Sequence, residues 1–77
     1  MYLKNKKIPE NVTCYVINNR SLVKFLQREK SLPIFMNVGK KYYFVKNKFS
    51  QKVFDDEIPF FYRWFSEILE QKGGEEN

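Results

Sequence analysis

Fourteen of the 77 residues carry aromatic rings, eight Phe, five Tyr and one Trp, and in so short a chain these rings supply the burial that folding needs. A chain of this length buries only about 60% of the surface its unfolded form exposes, so it makes one modest core with no room for an active-site domain beside it. The rings also argue against a disordered composition.

The pattern along the chain predicts a small single α+β domain in the order β-α-β-β-α, with a β-hairpin wing and an amphipathic C-terminal helix. Residues 1–10 lack periodicity and read as a basic flexible arm carrying Lys4, Lys6 and Lys7, with Pro9 at the entry to the folded domain, 11–72. The β-branched and aromatic run from Val12 to Ile17 predicts a strand closed by Asn18-Asn19. Ser21, or Asn19, offers an N-cap for a helix over residues 22–30, in which Leu22, Phe25 and Leu26 share one face and which Pro33 stops before Leu32. Ile34 to Val45 reads as a hairpin with Gly39 supplying a positive φ at the turn. Whether the strand at 12–17 joins that hairpin is open at this stage.

The last helix is expected to begin near Asp55-Asp56-Glu57, with Pro59 in its first turn, and to run to about Lys72, where Gly73-Gly74 ends it. On a helical wheel Ile58, Phe61, Tyr62, Trp64, Phe65, Ile68 and Leu69 form one apolar arc opposite Arg63, Ser66, Glu67 and Glu70. Most of that arc is expected in the core. Phe60 falls outside it, and Phe60 and Trp64 are candidate contacts for a protein partner or a homodimer. Residues 73–77 read as a disordered acidic tail.

Charge is unevenly distributed. Residues 1–52 hold twelve Lys and Arg against Glu10 and Glu29, whereas residues 53–77 hold Arg63 and Lys72 against seven acids. This points to a basic surface for a polyanion and a separate acidic one, although lysines that only keep the chain soluble give the same composition. Helical spacing puts Arg20, Lys24, Gln27 and Arg28 opposite the apolar face, where they are either an ordinary solvated face or a nucleic-acid-facing one. Lys40 and Lys41 sit at the hairpin tip, and Lys46, Lys48 and Lys52 follow it. Of the rings between them, Phe44 reads as core, and Tyr42 and Tyr43 fit either core packing or base stacking.

Other classes are disfavoured. With no histidine and a single cysteine, Cys14, the chain lacks the usual zinc and copper ligand sets and every nucleophile–His pair, so neither metal nor other cofactor is expected, and no enzymatic activity. One cysteine excludes an intramolecular disulfide and favours a reducing, cytoplasmic setting. The apolar runs fall far short of the roughly 18 residues that span a bilayer, and residues 1–7 lack the apolar segment of a signal peptide.

From Ser21 to Phe49 the order of features resembles the winged helix-turn-helix of phage and transposon excisionases. The matching residues are a helix opened by Ser21-Leu22 and basic to Lys30, then Leu32-Pro33, a strand, Val38-Gly39-Lys40-Lys41-Tyr42 as the wing, a return strand, and Lys48-Phe49. The resemblance implies a helix in the major groove and a wing on the backbone or minor groove, which assigns contacts to Arg20, Lys24, Gln27, Arg28, Lys40 and Lys41. The family's helix before the recognition helix is replaced here by the apparent strand at 12–17. The expected function is a basic DNA-binding accessory or regulatory factor of a phage or mobile element, with Lys46 and Lys48 adding phosphate contacts. The alternative is an inhibitor or adaptor that docks on proteins through its aromatic C-terminal helix.

Overall fold

In a computed structural model that describes residues 8–74, the β-branched run forms strand β1 (Thr13–Ile17) inside a four-stranded antiparallel sheet. Helix α1 (Arg20–Glu29), strands β2 (Met36–Val38) and β3 (Lys41–Val45) and helix α2 (Lys48–Lys52) follow. A π-helical turn (Val53–Glu57) continues α2, and α3 (Phe60–Phe65) and β4 (Ile68–Lys72) complete the chain. The strand order is β2-β3-β1-β4, so β1 does join the hairpin.

Alternation along β1 sends Tyr15 and Ile17 to one face of the sheet and Cys14 and Val16 to the other, and all four are buried. On the first face Tyr15, Ile17 and Phe44 pack against Leu22, Val23 and Leu26 of α1 and against Val53, Phe54 and Ile58. The Tyr15 and Phe54 rings stack at 4.0 Å. On the second face Cys14, Val16, Met36 and Tyr43 pack with Ile8, flanked by Val12 and Phe35. Phe44 is thus core, as is Tyr43, while Tyr42 is half-buried.

Local chemistry sets the element ends. Asn19 is the N-cap of α1, its Oδ1 accepting from the N–H groups of Ser21 (2.9 Å) and Leu22 (3.3 Å). The two-residue hairpin loop places Gly39 at φ 61°, and Asn37 Nδ2 braces it by donating to the carbonyls of Gly39 and Lys41. Helix α2, which the sequence pattern did not suggest, rests on a capping box between Asn47 and Ser50. Lys4, Lys6, Lys7 and the tail residues Glu75, Glu76 and Asn77 lie outside the described residues. Ile8 is buried, and Gly73, also buried, donates its N–H to the Val12 carbonyl (2.8 Å), so the folded unit includes residues on both sides of 11–72. A Cβ on Gly73 would overlap the Pro9 carbonyl.

The C-terminal helix expected from Asp55 to Lys72 does not form as one element. Ile58 is extended (φ −86°, ψ 124°), as steric contact with the Pro59 ring requires, and this ends the first helical unit at Glu57. A new helix starts at Phe60, with the Pro59 carbonyl accepting from the N–H groups of Tyr62 and Arg63. Ser66 is extended in turn, and Ile68–Lys72 pairs with β1 from Ile17↔Ile68 to Thr13↔Lys72. Phe, Tyr and Trp are mediocre helix formers, and the open edge of β1 offers five residues of ladder instead.

Asn19 also donates from Nδ2 to Ser66 Oγ (2.7 Å), which ties the start of α1 to the link between α3 and β4. Asn19→Ala is expected to lower unfolding free energy by about 1–2 kcal/mol, the usual cost of a lost N-cap, in urea denaturation. An unchanged midpoint would show that the cap is not needed.

Candidate nucleic-acid interface

Arg20, Lys24 and Arg28 repeat at four-residue spacing, so they form one stripe along the exposed side of α1. No acid occupies the first turn of α1, and Arg20 adds its charge to the positive end of the helix dipole. Across from it, the hairpin turn raises Lys40. Arg20, Lys40, Tyr42, Asn18 and Gly39 line one open depression of ≈ 360 Å³. The half-buried Tyr42 ring therefore lies beside two cations with no carboxylate in the lining.

A second depression, ≈ 340 Å³, lies farther along the same stripe. Lys24, Arg28, Ser21 and Glu29 of α1 line it together with Phe25 and with Tyr62 of α3. The Phe25 and Tyr62 rings are 5.5 Å apart and form its apolar floor. Gln27 is exposed but lines neither depression. Lys41 is exposed opposite Val38, and alternation sends it to the sheet face away from Tyr42. The two tip lysines thus point to different surfaces.

The remaining predicted contacts, Lys46 and Lys48, sit at the other end of β3, about 14 Å of strand from Tyr42. Lys48 is exposed on the first turn of α2. Lys46 is engaged within the fold: Nζ donates to Glu70 Oε1 at 2.9 Å and lies 5.8 Å from the centre of the Tyr15 ring. This pair joins the end of β3 to β4 across β1. Lys30 is similarly engaged by Glu57 at 2.9 Å. Among the described residues, Arg20, Lys24, Arg28, Lys40, Lys41 and Lys48 form no ion pair.

The aromatic C-terminal residues sit differently from the predicted arc. Phe61, Phe65 and Leu69, expected in the core, are exposed, with Phe65 at 77%. Tyr62 holds α3 to the core through Phe25, and the Arg63 guanidinium, expected on the solvent side, donates to the Phe54 carbonyl. Phe60 and Trp64, 73% and 71% exposed, meet edge to face at 5.7 Å on the surface. Of the predicted arc only Ile58 is buried, and Tyr62 and Ile68 pack at the margin of the core. What sequence reasoning missed is that the helix breaks at Ser66, and the run Ile68-Leu69-Glu70-Gln71-Lys72, two apolar residues then three polar ones, carries no strand alternation that would have signalled it.

Among the described residues no group of three or more His, Cys, Asp or Glu is placed to hold a metal ion, and no helix is long and apolar enough to cross a membrane. Comparison with protein-family models, curated proteins and solved structures finds no match to this chain.

Burial holds the Tyr15 hydroxyl above the ordinary tyrosine pKa, with Lys46 opposing and Asp55 and Glu70 reinforcing the shift. The hydrogen bond that the Lys46 ammonium donates to Glu70 raises its pKa above the ordinary lysine value. Both folded-state values lie above the unfolded ones, so their stabilisation is complete below about pH 10 and is lost as pH rises through the folded values. Thermal melts from about pH 8 to 11 should therefore fall, and fall less steeply in Tyr15→Phe, which keeps the Phe54 stack. Parallel pH profiles for the two proteins would exclude Tyr15 from the alkaline transition.

Proposed function

We propose that this protein binds nucleic acid, double-stranded DNA foremost, as a cytoplasmic accessory or regulatory factor of the kind phages and mobile elements use. One observation carries the reading: the stripe Arg20-Lys24-Arg28 on α1 runs up to the hairpin tip, where Arg20 and Lys40 face one depression beside Tyr42. Cations free of carboxylate partners are available for phosphates, whose neutralisation releases counterions and drives binding of any sequence. The excisionase-like order of residues 21–49 assigns α1 to the major groove and the β2–β3 hairpin to the backbone or minor groove. In that arrangement Arg28 and Gln27 supply base contacts, and Arg20 and Lys40 hold phosphates, while Lys41 on the other sheet face and Lys48 at the far end of β3 lie off this surface. No step of this function needs a bound cofactor or catalysis.

Fluorescence anisotropy of a labelled duplex, a single strand and an RNA hairpin tests it. Binding to duplex should weaken by orders of magnitude between about 50 and 200 mM salt. Arg20→Ala and Lys40→Ala should each weaken binding similarly on all sequences and reduce the salt slope by about one, whereas Gln27→Ala and Arg28→Ala should change the preference between sequences. Absence of binding to all three probes at the lower salt would refute the nucleic-acid reading.

A second reading is favoured by a different observation, the exposed rings of α3: this surface docks on protein. Because Phe60 and Trp64 lie outside the core, Phe60→Ala and Trp64→Ala, melted at dilution where the chains are monomeric, should keep the melting temperature of the monomeric wild type within about 2 °C. A larger drop would make the rings part of the fold and remove this reading.

A further inference from the structure

We propose that the outer edge of β4 and the exposed rings of α3 form an interface with a second copy of this chain about a two-fold axis. This deepens the protein-docking reading and rests on it. β4 is the terminal strand in the order β2-β3-β1-β4, and one of its edges pairs with β1 without interruption from Lys72 to Ile68. The other edge has no partner strand among the described residues. Native edges are blunted by proline, a bulge, extreme shortness or charge, and of these the five residues Ile68–Lys72 carry only charge, at Glu70 and Lys72. The opposite edge of the sheet, β2, is three residues long.

Symmetry and charge restrict the register. Residues directly opposite in an antiparallel sheet share a face, so a two-fold axis normal to the sheet pairs only positions of equal parity. Centring the axis on Glu70 sets two carboxylates opposite each other, which is destabilising. Centring it on Leu69 sets Leu69 against the second copy's Leu69 and Glu70 against the second copy's Ile68. Centring it on Gln71 pairs Glu70 with Lys72 but leaves Leu69 opposite Gly73. It is therefore the burial of Leu69, 49% exposed, against an apolar neighbour that favours the Leu69 register, in which no like charges face each other.

The amount of apolar surface fits a dimer. Phe60, Phe61, Trp64 and Phe65 are between 54% and 77% exposed, and Ser66 and Glu67 alone separate them from β4. Together they present roughly 500 Å² of ring surface on each copy. A stable interface buries about 800 Å² per partner, so the rings alone fall short and the proposed interface requires Leu69 and the strand edge as well. A patch of this size matches the largest that a monomer typically exposes, about 300–600 Å², and such patches are often functional. The acids Asp55, Asp56, Glu57 and Glu67, close to the rings in the chain, disfavour an anionic membrane surface as the occupant.

Sedimentation equilibrium of the full chain over a wide concentration range is the test, with Trp64 emission, the chain's one tryptophan, as an independent reporter. The mass should rise to that of a dimer and Trp64 emission should shift to the blue with the same midpoint. Leu69→Lys, which opposes two cations across the axis, should weaken association at least about tenfold. Should that variant lose its wild-type circular dichroism melt, Phe65→Ser at the most exposed ring carries the comparison. A wild-type chain that stays monomeric, or variants that dimerise as tightly as wild type, would overturn the proposal. Monomer that instead partitions onto phosphatidylcholine–phosphatidylglycerol vesicles would also overturn it. A monomeric wild type with unchanged melting of Phe60→Ala and Trp64→Ala refutes the second copy alone, whereas a marked drop in their melting refutes the docking reading as well.

Discussion

Strand β1 is paired along both edges and covered on both faces, and the other elements take their places from what that burial requires. Four consecutive buried residues, Cys14 to Ile17, have side chains alternating between two apolar layers, while their backbone groups need partners on either side. The hairpin satisfies one edge through β3. The other is satisfied only because Ile68–Lys72 leaves the helical path and extends. The Lys46–Glu70 ion pair then spans β1 from one neighbour to the other, over the Tyr15 ring. In a chain with so little core, the cooperativity of the sheet is concentrated in this one strand.

That requirement explains which parts of the fold are legible in the sequence. The strand at 12–17, the basic helix and the hairpin are written in short-range signals: β-branched residues in a run, an Asn N-cap, Gly39 at a positive-φ turn, and Pro33 beyond the helix end. The C-terminal segment carries two conflicting signals. Its spacing of apolar residues is helical from Ile58 to Leu69, yet the position of Pro59 and the demand of an open sheet edge decide the outcome. Helix spacing is a local property, whereas the edge of β1 lies some fifty residues away in the chain. Helix α2 escaped notice for a related reason. Its capping box uses Ser50 at the third position, where Glu or Gln is the usual cue, and Ser50 is then buried while donating to the Val45 carbonyl.

The candidate site shows the same division. The stripe of Arg20, Lys24, Gln27 and Arg28 on the exposed side of α1 follows directly from helical spacing. Which lysines accompany it does not, because the sequence places Lys40, Lys41, Lys46 and Lys48 close together in the chain and the strand separates them. Alternation turns Lys41 to the other face, and the length of β3 carries Lys46 and Lys48 to the far end of the sheet. Only the turn lysine, Lys40, meets Arg20. Tyr42 could be placed beside them only once the register with Ile17 was known, since that pairing puts its ring on the α1 side.

Extending residues 68–72 has a consequence for the surface as well as for the core. A continuous helix to Lys72 would have laid Phe61, Trp64, Phe65 and Leu69 on the domain, and the chain would have hidden nearly all its rings. Breaking that helix at Ser66 supplies β1 with its second neighbour but leaves a helix of six residues held by Tyr62, by Arg63 and, at its end, by the Asn19–Ser66 hydrogen bond. The same change produces both an unpaired strand edge and a group of exposed rings next to it in the chain. Charge is segregated along the same division, with the unpaired cations on α1 and at the hairpin tip and the acids around the π turn and β4. The cations give the first surface an attraction for polyanions that the acids of the second oppose.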